Sequence, residues 1–504
     1  MNEYRMNKLN RRIKGSTFHK DSPAVIQHKK TSISNDVLAK YTKRYADKLL
    51  LQEEFYLPAS LFKSFVDEQI LTSIPSIKKT YLSILCKRCH NSKKHFFAMM
   101  SCTRCQKKHV YCRYCIQMGR VMECTPLYKW TGPKVSWPKH EDPCTWQGTL
   151  THAQQHAAAR MVQAVKDNQK LLIWAVTGSG KTEMMFLSIT TALQAGKRIC
   201  IASPRADVVR ELLPRLQQAF QTIPIQGLYG GSRDNDGTAQ ILIATTHQLL
   251  RYQHAFDVLI IDEIDAFPFH QDPTLQFAAD RARKEKSSLI YLTATPREKQ
   301  RRMIANKQLD YVFVPTRFHG QRLPVPTFRH CRTLQKNLIE NKLPKAFIYW
   351  LQNRQVPSRQ LLIFVPTISL AKQLEQPLQL LLEQENLLPN KYPTITFVHA
   401  EDERRKEKII AFRQRQYDVL LTTTILERGV TFPAIDVAVL DASHHVFDEA
   451  ALVQISGRAG RSKEDPSGEV IFFHDGKTNS MVNAQIDIIK MNRRAKRTTI
   501  QRRI

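Results

Sequence analysis

LLIWAVTGSGKTEMMFLSITTALQAG, residues 171–196, decides the fold of most of the chain. Its first six residues are apolar and strand-length, a glycine-bearing turn follows, and the remainder reads as a helix ending at Gly196. Strand, glycine turn and helix N-terminus in that order form a phosphate loop in its required setting, where backbone amides and the positive helix end face one anion. Gly178 and Gly180 let the backbone of Thr177, Gly178, Ser179, Gly180 and Lys181 wrap the phosphates. Lys181 reaches the β- and γ-phosphates, and Thr182 supplies a hydroxyl to Mg²⁺. One departure from the full G-x4-GK[ST] spacing is visible: Ala175 stands where the first glycine would be. The ligand implied is ATP with Mg²⁺.

From residue 150 onward short apolar strands alternate with helical stretches, the pattern of a parallel sheet in an α/β domain. AFDVLIIDEID (255–265) ends a further apolar strand on acids. Asp262 is placed to hold the Mg²⁺, and Glu263 to orient and deprotonate an attacking water. Their distance along the chain from Lys181 fits one RecA-like lobe.

The chain has 504 residues, enough for about three packed units at roughly 150 residues each. Apolar residues make up 42% and charged residues 24%, which excludes a disordered polymer and a membrane bundle. The longest apolar runs, LLIWAV (171–176) and VLII (258–261), are strand-length, far short of the ~18–20 residues that cross a bilayer. The basic N-terminus has no apolar stretch behind it, so no secretory signal is expected. Lys and Arg exceed Asp and Glu by a formal +31, which calls for an anionic partner, nucleic acid first and an anionic membrane surface second. Residues 1–50 hold twelve basic against four acidic residues, and 493–504 hold six basic and no acid. Both ends read as solvated arms.

Six of ten cysteines form three C-x2-C pairs, Cys86/Cys89, Cys102/Cys105 and Cys112/Cys115, with Cys124 following. Without an export signal, paired thiols at this spacing mean Zn²⁺. Each pair places two sulfurs on one side of a knuckle, and two knuckles complete a tetrahedral site at ~2.3 Å Zn–S. Cys86/Cys89 with Cys112/Cys115 leaves Cys102/Cys105 for a second site that needs Cys124 and His109; Cys86/Cys89 with Cys102/Cys105 gives a shorter ribbon; an interleaved two-zinc module uses everything. The outer arrangement is favoured, because β-formers precede VYCRYC. Four sulfurs leave no open position, so the role expected is structural.

Further motifs carry a resemblance to superfamily 2 helicases over about 150–475: LTHAQ (150–154), ASPRADVVREL (202–212), ATTHQLLR (244–251), DEID (262–265), TAT (293–295), LLIFVPT (361–367), TTTILERGVTFP (422–433) and QISGRAGR (454–461). The resemblance implies that Gln154 contacts adenine, that Gln454 lies near the attacking water, and that Arg458 and Arg461 are arginine fingers reaching the γ-phosphate only when two lobes close. It further implies that Arg205, Thr245, Thr246, Arg251 and Thr423 face the phosphates of a nucleic-acid strand.

The cysteine cluster ahead of the first lobe, with DEIDAFPF (262–269), TRFHG (316–320), TTILERGVTFP (423–433) and FFHDG (472–476), is similar to the ComFA family, from Cys86 to about Asn492. That family implies a cytoplasmic motor, peripheral at the inner face of the cell membrane, that hydrolyses ATP to bring incoming single-stranded DNA through the uptake channel. The partners it implies are ComEC, ComFC and DprA; a homo-oligomer is left open. A PriA-like DNA helicase carries its zinc module inside the C-terminal lobe, whereas residues 361–475 contain no cysteine. An RNA helicase is a further alternative, since Ile264 in DEID and the TAT motif do not decide RNA against DNA. A basic zinc-ribbon adaptor with a dead ATPase would lack a catalytic group, and Lys181, Thr182, Asp262, Glu263, Gln454 and Arg461 are all present.

The architecture expected is α/β: two RecA-like lobes, parallel sheets flanked by helices, behind a cysteine-rich zinc module and a basic N-terminal region. The boundaries expected are 1–80 for the basic region, helical or partly disordered, 81–128 for the zinc module, 129–310 for lobe 1, 311–344 for a Pro-rich linker, 345–480 for lobe 2 and 481–504 for a basic tail.

Overall fold

The structure, a computed structural model, describes residues 33–232, 236–385, 387–390, 393–428 and 432–500. The basic arm ahead of residue 33 and the last four residues lie outside the described residues.

Two parallel sheets dominate. The first runs Ile225–Leu228, Ile241–Thr245, Ile199–Ser203, Phe256–Asp262, Arg283–Thr293, Lys170–Ala175, Asp310–Val314. The second runs Thr327–His330, Val470–His474, Ile435–Val439, Gln360–Phe364, Val419–Thr422, Ile395–Val398. All pairings within each sheet are parallel. Strands such as Ile241–Thr245 and Ile435–Val439 are buried along their whole length, because helices cover both faces and alternation gives way to continuous apolar runs. The chain passes from the first sheet to the second between Val314 and Thr327.

The segment read from sequence as a basic tail forms one helix, Asn479–Ile500, packed on the second lobe. Met481, Ala484, Ile488, Met491 and Ala495 are buried at helical spacing, so an apolar stripe holds the helix down while its basic face stays in water. Residues 33–79 hold the helices Asn35–Tyr45 and Ala59–Asp67 and three short strands. Leu49–Leu51 and Leu71–Ile74 flank Leu127–Trp130 in one antiparallel sheet. The two ends of the cysteine-rich region are thereby stitched to the segment ahead of it, over a core that includes Tyr45, Phe55, Phe65 and Trp130.

This N-terminal unit docks on the first lobe through polar side chains. Glu54 accepts from Arg88 at 2.8 Å and from Arg251 of the lobe at 2.8 Å, and from the Leu51 amide at 2.9 Å. Arg281 of the lobe donates to the carbonyls of Arg88, Leu250 and Tyr252. Lys48 bridges to Tyr252 through the backbone and donates its ammonium to the carbonyls of Arg44 and Asp236. Burial pushes the Lys48 ammonium down to about 7.

Arg88 is fully buried, so removing its carboxylate partner leaves an uncompensated charge. Glu54→Ala is expected to destabilise the docked N-terminal unit by about 3 kcal/mol, read as an earlier urea transition and faster proteolysis between residues 130 and 150. An unchanged transition would show that apolar packing alone holds the unit in place.

Candidate functional site

The strand Lys170–Ala175 delivers the chain to a tight turn in which Gly178 and Gly180 have φ of +75° and +73°. Gly180 caps the helix Lys181–Gln194 in the left-handed conformation. A side chain there would also collide with Gln154, whose amide donates to the Ser179 carbonyl at 2.9 Å. Gln154 therefore braces the phosphate loop as well as lining the same cavity. At the end of Phe256–Asp262, Asp262 lies 4.0 Å from the Lys181 ammonium. Burial, against the pull of Lys181, pushes its carboxyl up to about 6. Glu263 follows with φ +55° and donates its amide to the Asp262 carboxylate at 2.9 Å.

The second lobe closes this cavity of about 480 Å³, which is lined by Thr177 to Glu183, Asp262, Glu263, Gln454, Arg458 and Arg461. Thr177 Oγ1, Ser179 Oγ, Glu263 Oε2 and Gln454 Nε2 are buried there with no hydrogen-bond partner among the described residues. Orphaned polar atoms at that density fit a bound triphosphate and its hydrated Mg²⁺, which supply the missing partners. Arg458 is placed by its Nε, which donates to the Glu427 carbonyl at 2.9 Å; Arg461 donates to Gly457 at 3.0 Å.

Sequence reasoning gave no role to several residues here. Arg317 is buried between the phosphate loop and the second lobe, packs over Gly178 and donates to the carbonyls of Gly460 and Ala459. The next residue, Phe318, donates its amide to the Gly178 carbonyl at 2.9 Å and lines the cavity with Trp146. The TRFHG segment thus joins the phosphate loop to the turn that carries Arg458 and Arg461. Asp265, last of DEID, accepts from Thr293 and Thr295 at 2.5 Å and from Arg428 of the second lobe at 2.6 Å. Burial raises the Asp265 carboxyl, but Arg428 overcomes it and holds the group well below the usual carboxylate range.

The residues expected to face a strand are spread along the first lobe and its junctions. Thr246 is fully buried, and Thr245 lines a cavity shared with Lys48, Gly230 and Gly231. Arg251 is taken up by Glu54 and by Gln248 at 2.5 Å. Arg205 bonds across the lobes to Glu427 at 3.4 Å and to the Ile425 carbonyl at 2.6 Å. Thr423 is half-buried ahead of the short turn Thr424–Leu426.

The structure brings Cys86, Cys89, Cys112 and Cys115 together, all buried, with Cys86–Cys115 at 3.8 Å and Cys89–Cys112 at 3.5 Å. Sulfurs around a tetrahedral zinc stand about 3.8 Å apart. Hydrogen bonding from Cys115 holds Cys112 well below the ordinary thiol range, and bonding to Cys112 pushes Cys115 and Cys89 above it. The four cannot ionise together unless a cation offsets their charge. Cys102 and Cys105 lie apart, beside Cys124.

Among the described residues no helix is long and apolar enough to cross a membrane. The family model for the competence protein ComFA N-terminal domain matches residues 33–129, that for the type III restriction enzyme res subunit residues 147–298, and that for the helicase conserved C-terminal domain residues 341–463. The competence protein ComFA of Bacillus subtilis (strain 168) is 43% identical over 444 residues, 88% of this chain and 93% of that protein. The protein of the same name from Streptococcus pneumoniae (strain ATCC BAA-255 / R6) is 37% identical over 430 residues, 85% and 95% of the two chains. In fold, the chain is similar to the DEAD-box helicase Mss116 bound to ssRNA and UDP-BeF, at TM-score 0.50 and 16% identity over 64% of this chain and 70% of that one. The two motor lobes are those of an ATP-hydrolysing helicase or translocase, and with relatives this similar along most of its length the chain belongs to the ComFA family of competence proteins.

Proposed function

We propose that the chain is an ATP-driven translocase of single-stranded DNA serving competence DNA uptake. The observation that carries this reading is the composite cavity: the phosphate loop and Glu263 come from one lobe, Gln454, Arg458 and Arg461 from the other. Hydrolysis in such a site depends on apposition of the lobes, so each turnover moves one lobe against the other. Lys181 and the loop amides hold the phosphates. Thr182 and Asp262 are the residues that would hold Mg²⁺, which when bound neutralises charge between the β- and γ-phosphates. Glu263 orients the water and takes its proton, while Arg458 and Arg461 stabilise charge developing at the γ-phosphate. The formal charge of +31 supports a polyanionic strand as the load. The family relationship supports DNA, a cytoplasmic place at the inner face of the membrane, and the partners ComEC, ComFC and DprA. Cys86, Cys89, Cys112 and Cys115 hold a structural Zn²⁺ in this reading.

Four tests separate its parts. Steady-state ATP hydrolysis is measured without nucleic acid and with single-stranded DNA, duplex DNA or RNA, at two salt concentrations. Stimulation by single-stranded DNA that weakens as salt rises is expected; preference for RNA, or indifference to every nucleic acid, overturns the load assigned here. Lys181→Ala and Glu263→Gln abolish turnover, and near-full rates in either move the active site elsewhere.

A methyl group at Gly457 would overlap the Thr177 side chain of the facing lobe. Gly457→Ala should therefore cost the closed state about 1–3 kcal/mol, lowering kcat roughly tenfold to a hundredfold while far-UV circular dichroism stays unchanged. Wild-type kcat would mean that turnover does not pass through this apposition. Cys86→Ser with Cys89→Ser should lose bound zinc and loosen the N-terminal unit with the motor lobes still folded; unaltered metal content would refute the ligand set.

A further inference from the structure

We infer that Cys102, Cys105 and Cys124 form a second zinc site, with His109 as its fourth ligand. The three sulfurs lie within 4.8 Å of one another, and three features of the surrounding chain show a built site and not a chance grouping.

The first is the turn. In the Cys86 knuckle the Cys86 amide donates to the Asn91 carbonyl at 3.0 Å, the His90 amide donates back to the Cys86 carbonyl at 2.9 Å, and His90 has φ +62°. The Cys102 turn repeats each element: Cys102 donates to Lys107 at 2.9 Å, Gln106 donates back to Cys102 at 2.9 Å, and Gln106 has φ +55°. Two segments of the same C-x-R-C pattern, CKRCHN and CTRCQK, adopt one knuckle that presents both sulfurs to the same side. In the first knuckle those sulfurs complete a four-thiol cluster. The second has the same geometry and needs the same kind of partner.

The second feature is the way Cys124 arrives. The knuckle sits at the tip of a hairpin, Phe97–Ser101 with Lys108–Cys112. The returning segment forms an isolated bridge from Met122 to Tyr111, and the Glu123 amide donates to the Val110 carbonyl at 2.9 Å. That pairing fixes the register of residue 124 beside the tip.

The third is the imidazole. His109 stands at the edge of the cluster, not within 4.8 Å of all three sulfurs: its Nε2 lies 3.1 Å from Cys105 Sγ, and its Nδ1 faces the Glu123 carboxylate at 3.9 Å. Nitrogen and sulfur bound to one tetrahedral zinc stand about 3.5 Å apart, and a carboxylate on the far nitrogen is the usual support for a zinc-bound histidine. Three thiolates with one imidazole are a donor set that suits zinc.

The two sites differ in access. The cysteines of the first are all buried, whereas Cys105 is exposed and Cys124 half-buried. Zinc at the second site is therefore the one that exchanges with solvent, and it ties the hairpin tip to the returning segment.

The test uses the full-length protein, with zinc quantified by mass spectrometry and by mercurial titration in the presence of a colorimetric chelator. Two equivalents per chain are expected in the wild type, the faster-released one lost in Cys105→Ser and in Cys124→Ser. Retention of the other equivalent in those variants shows that the unit is folded. With Co²⁺ in place of zinc, His109→Gln should alter the d–d bands of the second site alone, and Glu123→Gln should weaken its metal affinity roughly tenfold. An equivalent count that does not fall in either cysteine variant, whether the wild type holds one or two, or a disulfide among the three thiols overturns the site. An unaltered cobalt spectrum in His109→Gln overturns the ligand set. Loss of the Cys86 cluster's zinc leaves these readouts intact, so the two assignments fail separately.

Discussion

A buried ion pair, Asp265 with Arg428, holds the working geometry together. Asp265 is inaccessible and Arg428 only 1% exposed, and they meet at 2.6 Å. Two charges so far from water cost several kcal/mol each if left unpaired, so neither lobe can keep its half of the pair in this environment without the other. Around the pair the contacts are continuous. Asp265 also accepts from Thr293 and Thr295, which locks the ends of two neighbouring strands to each other. Arg428 faces Glu263 at 3.7 Å and Glu427 at 3.2 Å, and the Glu427 carbonyl positions Arg458. Glu263 on one lobe and Arg458 on the other are thus set by a single polar network. Its strength lies in exclusivity, since removal of any charged member leaves a neighbour buried and uncompensated.

The N-terminal unit attaches to the same lobe a short distance away. His90, in the Cys86 knuckle, stacks on Phe277 with ring centroids 4.4 Å apart. Phe277 lies on the helix Pro273–Ala282, which follows the DEID segment in the chain. Arg281 of that helix reaches back to the Arg88 carbonyl between the knuckle cysteines. A knuckle is a short loop with little core of its own, so a metal that fixes its shape also fixes the surface docked on this helix. The cysteine region is tied by this one helix to the acidic end of the nucleotide site.

What could be read from sequence follows from how local each piece of chemistry is. The phosphate loop was legible because its donors, glycines and helix start are contiguous. The parallel sheets were legible from apolar runs broken at regular intervals. Three C-x2-C pairs announced metal, but spacing alone left their partition open; pairing of Phe97–Ser101 with Lys108–Cys112 brings Cys112 and Cys115 back to the first knuckle. The roles of Arg317, visible only as part of TRFHG, and of Glu54 were not readable, because their partners, Gly460 and Arg251, lie far along the chain. The helix Asn479–Ile500 was hidden by its own composition: basic residues mask an apolar stripe unless the helical period is followed residue by residue. In each case the missing information was a long-range contact, not a local preference.

The same distinction governs the arginines expected to grip a strand. Arg205 and Arg251 have the right side chains in the right motifs, yet each guanidinium is engaged by a carboxylate, Glu427 and Glu54 respectively. A phosphate entering at either position competes with that carboxylate for the same donors. At Arg205 the exchange breaks a bond between the lobes; at Arg251 it breaks one between lobe and N-terminal unit. A strand bound at these arginines would draw on the same interactions as domain position, and the linkage would be reciprocal: whatever free energy closes the lobes through Arg205 and Glu427 would be subtracted from the affinity for phosphate there. A motor needs such an exchange, because a grip that did not loosen as the lobes close would hold the strand without moving it.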